Sequence, residues 1–182
     1  RAKLVVEALI ERNGILAVNG AAASAETLKA VEAQRPLDMT LISCCSTAPD
    51  LSKDPYIYRT LPSDALQGVA LAKVAAERNA DRLSIIYLDD PYGTQLRDAF
   101  KSAYAKETGG KSPSAEVPYQ SGEINFASVV SSAFSINPQL VVLIAFPIAG
   151  AEIIKAWVQS GRGNDVEWLG TDGLKDNQFV LL

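Results

Sequence analysis

Side chains able to hold or transform a ligand gather at a few places in this 182-residue chain. Ser24 follows Gly20 and three alanines, Ser43 to Thr47 form an unbroken run of hydroxyls and thiols, Asp89 and Asp90 precede Pro91-Tyr92-Gly93, and Asp172 sits between Thr171 and Gly173. Hydroxyls beside helix-start N–H groups suit an anion such as a carboxylate, while an acid or an aromatic face suits an ammonium. Histidine is absent, which excludes Ser-His-Asp and Cys-His catalysis within the chain and removes the commonest transition-metal ligand. The two cysteines, Cys44 and Cys45, are adjacent, so they supply neither spaced metal ligands nor a disulfide framework. They read as two small buried thiols. Asp89 and Asp90 raise a rival chemistry, a Mg²⁺-dependent hydrolase or phosphotransferase with carboxylates at a strand end. The further acids and the lysine such a site needs are missing from Leu140–Pro147. No metal set and no cofactor is expected.

Composition narrows the classes. A net charge of -4 and a pI near 4.9, with no basic cluster, argue against a nucleic-acid partner. No stretch approaches the roughly 20 apolar residues of a membrane span. Residues 1–14 carry an amphipathic helical pattern instead of a secretory signal.

The elements that must position these residues alternate. Helical periodicity covers 1–12, a helix opened by Ser24, then 64–79, 94–108, Ile124–Ile136 and 149–160. Strand patterns fall at 15–20, 40–43, 82–88, 114–119, 140–146 and 166–170. Such alternation is the signature of parallel sheets wrapped by helices, in which ligands sit at the carboxyl ends of the strands. The exception is 41–64, where Pro49, Pro55 and Pro62 make a helix improbable and point to an extended crossing beside a hinge. The pattern opens on a helix and stops at Leu182 without a turn, so both ends read as cut.

Taken in order, VNGAAAS, LISCCSTAPDLS, YRTLPSDALQG, DDPYG and LGTDGLKD resemble the type I periplasmic substrate-binding proteins of branched-chain amino-acid and amide transport. The resemblance implies an α/β fold of two doubly wound lobes with parallel sheets, truncated at both ends. Residues 1–60 would belong to the first lobe and 61–170 to the second, with 171–182 crossing back. It also implies a small-molecule ligand, an amino acid or related carboxylate, enclosed between lobes and handed to the membrane subunits of an ABC permease. The location implied is periplasmic or extracellular, with a lipid anchor on the precursor as one arrangement of the class.

Carried over residue by residue, Ser24 matches the serine that binds the ligand carboxylate, and Cys45, Ser46 and Thr47 fall on the shelf that holds carboxylate and ammonium. Tyr92 matches the aromatic residue that closes over the ligand, Phe146 a second pocket aromatic, Asp172 the acid that pairs with the ammonium, and Asp64 a more peripheral acid near the hinge. Family members often have Pro-Ala-Ala at positions 44 to 46, and Asp172 replaces a longer Glu. Read without the resemblance, Ser24 is a plain helix cap, Thr47 and Tyr92 are turn residues, and Asp172 is an Asx-turn residue. Trp157 and Trp168 read as packing residues, and Arg59 as structural. A ligand-sensing regulatory or receptor module on the same scaffold is the second functional reading.

Overall fold

The computed structural model describes residues 1–162 and 165–181, which divide into two compact units, Arg1–Gln67 and Gly68–Leu182. In the first unit, α1 (Ala2–Asn13), β1 (Ala17–Asn19), α2 (Ser24–Gln34), β2 (Thr40–Ser43) and β3 (Ile57–Arg59) follow one another. The three strands are parallel in the order β1-β2-β3. α1 stops at Gly14, whose left-handed φ of 59° lets its N–H close on the Ile10 carbonyl at 3.0 Å. Side chains alternate across β2: Leu41 is buried with Val6, Ala30 and Val31 beneath the two helices. On the opposite face Asn19, Ile42 and Tyr58 pair side by side and are exposed.

The second unit is a four-stranded parallel sheet in the order β5-β4-β6-β7, formed by β4 (Leu83–Leu88), β5 (Ala115–Tyr119), β6 (Leu140–Ile144) and β7 (Glu167–Gly170). The helices are α3 (Asp64–Glu77), whose first turn lies in the first unit, α4 (Pro91–Glu107), α5 (Ala127–Ala133), α6 (Pro147–Gln159) and α7 (Asn177–Leu181). The central strands β4 and β6 are buried at every residue, as strands covered on both faces must be. Ile85 and Val142 pack toward Leu71, Leu96 and Phe100 of α3 and α4. Their neighbours Ile86, Val141 and Leu143 pack the other way, onto Val130 of α5, Phe134 at its end and Ile153 of α6. Trp157 and Trp168 meet edge to face at 5.5 Å over Phe134, so both indoles build this core.

The structure departs from the sequence pattern in two places between β2 and α3. The stretch after β2 is not uniformly extended: Pro49–Lys53 form a 3-10 turn, with proline in the first-turn position where its missing N–H costs nothing. Ile57–Arg59 then return as an unforeseen strand alongside β2. The first compact unit runs to Gln67 and so includes Asp64. Leu174 and Phe179 pack on the core of the second unit.

Gly93, on the first turn of α4, has no room for a side chain, since a Cβ there would lie 2.0 Å from the Leu88 carbonyl oxygen. Gly93→Ala should therefore lower the unfolding free energy by about 1–3 kcal/mol, the usual cost of forcing atoms into a packed site. Denaturant unfolding of the two proteins checks this, and equal midpoints would contradict the close approach.

Candidate functional site

Because each sheet is parallel, its strand ends share one edge, and the residues singled out above collect there in each unit. In the first unit the loop after β1 and the loop after β2 are stitched together by hydroxyls. Ser43 Oγ donates to the Ala21 carbonyl at 2.8 Å and accepts from the N–H groups of Cys45 and Ser46 at 3.3 and 3.1 Å. Ser24 is the first residue of α2, with Ala23 in the cap position, so it is not the helix cap. Its Oγ, in a residue only 2% exposed, accepts from the N–H groups of Thr47 and Ala48 at 3.2 and 3.1 Å. Ser46 Oγ lies 3.1 Å from the Ala22 carbonyl and 2.7 Å from Thr27 Oγ1.

Thr47 Oγ1 donates to Asp64 Oδ2 at 2.8 Å, and the Asp64 N–H donates to the Thr47 carbonyl at 2.9 Å. This reciprocal pair fastens the loop to the start of α3. Both residues are buried, and a buried carboxylate is tolerable only with such partners. Arg59 on β3 donates through Nη1 to the carbonyls of Thr47 and Ala48, each at 3.0 Å, and through Nη2 to Ser52. Its role is structural. Ser24, Ser46, Thr47 and Asp64 are thus brought together, but their side chains chiefly hold the loops. Thr27 belongs to the same network and carried no motif; its one sequence signal is its place one helical turn after Ser24.

Cys44 and Cys45 are neither free nor buried. They are joined to each other by a disulfide and are exposed at the tip of the loop. The adjacent pair packs against nothing that would hide it, because the buried positions of the loop are taken by Ser43, Ser46 and Thr47.

In the second unit Asp90 caps α4, its Oδ1 accepting from the Gly93 N–H at 2.9 Å, and Pro91 opens the helix. This fixes Tyr92 on the first turn with its ring buried. The Tyr92 hydroxyl donates to Asp172 Oδ1 at 2.9 Å and lies 3.0 Å from Thr171 Oγ1. Gly173 leaves room for it: a Cβ there would fall 2.8 Å from that hydroxyl. Phe146, at the cap of α6, stacks on Tyr92 with centroids 5.2 Å apart and is 37% exposed. The structure therefore brings Tyr92, Phe146 and Asp172 together, with Asp172 exposed and oriented by a buried phenol. Asp89 Oδ2 accepts from Gln120 Nε2 at 2.8 Å. Among the described residues, no group of three or more acids or cysteines is placed to hold a metal ion. The arrangement offers donors at one set of strand ends and an acid with aromatic faces at the other.

Comparison with known proteins gives this geometry a family. The chain superposes on a leucine-binding protein of Thermotoga maritima with a TM-score of 0.88 at 23% identity, over 99% of this chain and 51% of that one. A solute-binding protein of an ABC transporter from R. palustris, solved with 4-hydroxybenzoate, gives 0.83 at 19% identity over 96% of this chain and 48% of that one. A probable metabotropic glutamate receptor of Caenorhabditis elegans is 30% identical over 100 residues, 53% of this chain and 10% of the receptor. Metabotropic glutamate receptor 4 of Macaca fascicularis is 23% identical over 191 residues, 92% of this chain and 21% of the receptor. The chain thus spans about half of these solved relatives and a smaller part of the receptors. The profile of the periplasmic binding proteins matches residues 1–176, and with the type I fold of parallel sheets this chain belongs to that family.

Proposed function

We propose that the complete protein is the extracytoplasmic solute-binding component of an ABC transporter, which binds an amino acid or related small carboxylate and delivers it to the permease without transforming it. The observation that carries this reading is the exposed Asp172 carboxylate, held by Tyr92 beside the half-exposed Phe146. An acid flanked by aromatic faces suits an ammonium. On the first unit, the ligand carboxylate is taken up by main-chain N–H groups at the start of α2 and by the Cys45–Thr47 loop, since the hydroxyls of Ser24, Ser46 and Thr47 are committed to the protein itself. Ser24, Ser46, Thr47 and Asp64 then act on the ligand by fixing these donors, and Cys45 presents its backbone at the loop tip. Ligand contacts drawn from both units favour the bound state by their differential affinity.

A second reading, a ligand-sensing receptor module, is favoured by the similarity to metabotropic glutamate receptors. A signalling or DNA-binding segment fused to the chain supports it, whereas a lipid-anchored or secreted precursor supports transport.

Asp172→Asn keeps an acceptor for Tyr92 while removing the charge. In the full-length protein it should weaken amino-acid binding by about one to two decades, the cost of roughly 1.5–3 kcal/mol for a charge-assisted hydrogen bond. Calorimetry checks this, and unchanged affinity would remove Asp172 as the ammonium partner. Ser24→Ala should instead act first on stability. It orphans two buried N–H groups, at about 1–3 kcal/mol each, so the melting temperature should fall even without ligand. A variant that melts like the parent but binds more weakly would make Ser24 a direct contact.

A further inference from the structure

Beside Phe146, on the side away from β7, the second unit contains an open cavity of about 510 Å³. Its walls are Leu88, Tyr119, Phe126 and Phe146, with Ile124 and Ile148 at its lip. Tyr119 and Phe126 meet edge to face at 5.6 Å, both buried, and make a rigid aromatic floor. The lip is unusual: Ile124 is 95% exposed and Ile148 62% exposed, on the loop after β5 and the first turn of α6. One isolated exposed isoleucine needs no explanation, but two beside a half-exposed phenylalanine around one cavity form a patch that excludes water when filled.

Three of the polar side chains around the cavity are engaged elsewhere. Glu123 accepts from the N–H groups of Ile124 and Asn125 at 3.0 and 2.9 Å, Glu152 pairs with Lys155 at 2.9 Å, and the Gln120 amide is bound to Asp89. Burial, and then the charge of Asp90, hold the Tyr119 phenol above its ordinary pKa, so the floor stays neutral. Phe146 links the two regions, with Tyr92 stacked on it and with its own ring lining the cavity. Tyr92 in turn holds Asp172, so that carboxylate and the cavity are connected through the two stacked rings.

We propose that the cavity is the side-chain subsite of the ligand and takes an aromatic ring, which makes the ligand class an aromatic amino acid. The inference rests on the amino-acid reading given under Proposed function and sharpens it. The volume lies within the usual range of small-molecule pockets. Edge-to-face and offset contacts with Tyr119, Phe126 and Phe146 favour a ring over an aliphatic chain of equal area.

Calorimetry of the full-length protein with L-alanine, L-leucine, L-phenylalanine and L-tyrosine tests it. Phenylalanine or tyrosine should bind at least about tenfold more tightly than alanine, and more tightly than leucine. Ala149→Phe, which places a ring in the cavity, should lower the phenylalanine-to-alanine affinity ratio by about tenfold or more. Ile124→Ser, at a position too exposed to disturb folding, should lower the same ratio about threefold. If alanine and leucine bind and phenylalanine binds no better, the subsite is wrong while the amino-acid reading stands. A uniform loss across all ligands in Ile124→Ser would also overturn it, because the lip would then contact protein. Binding of none of the four would overturn the amino-acid reading, and the subsite with it.

Discussion

The constraint on which the structure depends is that every strand pairing is parallel. Parallel strands put all their carboxyl ends on one edge of a sheet, and each following helix begins there, with its unpaired N–H groups at the same edge. Residues far apart in sequence are thereby gathered without any special device. Tyr92 and Asp172 are 80 positions apart yet share a hydrogen bond, because one follows β4 and the other β7. The buried runs in β4 and β6 secure this edge, since their alternating side chains fill both layers of the core and leave the register no freedom to slip.

At the strand ends of each sheet, two kinds of polar group divide the work. The buried hydroxyls of Ser24, Ser43, Ser46 and Thr47 satisfy loop carbonyls and N–H groups that would otherwise be stranded beneath the surface. A buried donor without a partner costs more than a typical hydrogen bond contributes, so these side chains are committed first to the protein. Their effect is to hold the main chain of these loops in place. Asp172 is the converse: it is exposed, and the buried Tyr92 hydroxyl donates to its carboxylate and orients it. Preorganisation of this kind lowers the ordering cost of binding.

Much of this was legible in the sequence, and the remainder was hidden for physical reasons. The long apolar runs Leu83–Leu88 and Leu140–Ile144 could only be covered strands, and the alternation with helices led directly to parallel sheets. β3 escaped because it is three residues long, with Tyr58 exposed and Pro55 just before it, and its existence depends on pairing with β2. α5 is shorter than its apolar periodicity from Ile124 to Ile136 suggested. Asn125 accepts from the Ala127 N–H and starts the helix late, and Asn137 takes a left-handed φ of 49° just after it ends. The candidate residues were named by the family resemblance and by their place at strand ends, but neither reveals the partners of each hydroxyl. Ser24 has the same sequence context whether it caps its own helix, touches a ligand, or ties down residues 47 and 48. The cysteines were misjudged because adjacency says nothing about exposure.

The central proposal is that a ligand's carboxylate is held by strand-end main chain of the first unit and its ammonium by Asp172. A crystal structure of the full-length protein with a bound amino acid tests it most directly. The account requires the ligand carboxylate within hydrogen-bond distance of N–H groups at the start of α2 or in the Cys45–Thr47 loop, and its ammonium against Asp172. A ligand seated elsewhere, or one whose ammonium avoids Asp172 while its carboxylate faces Tyr92, would contradict it.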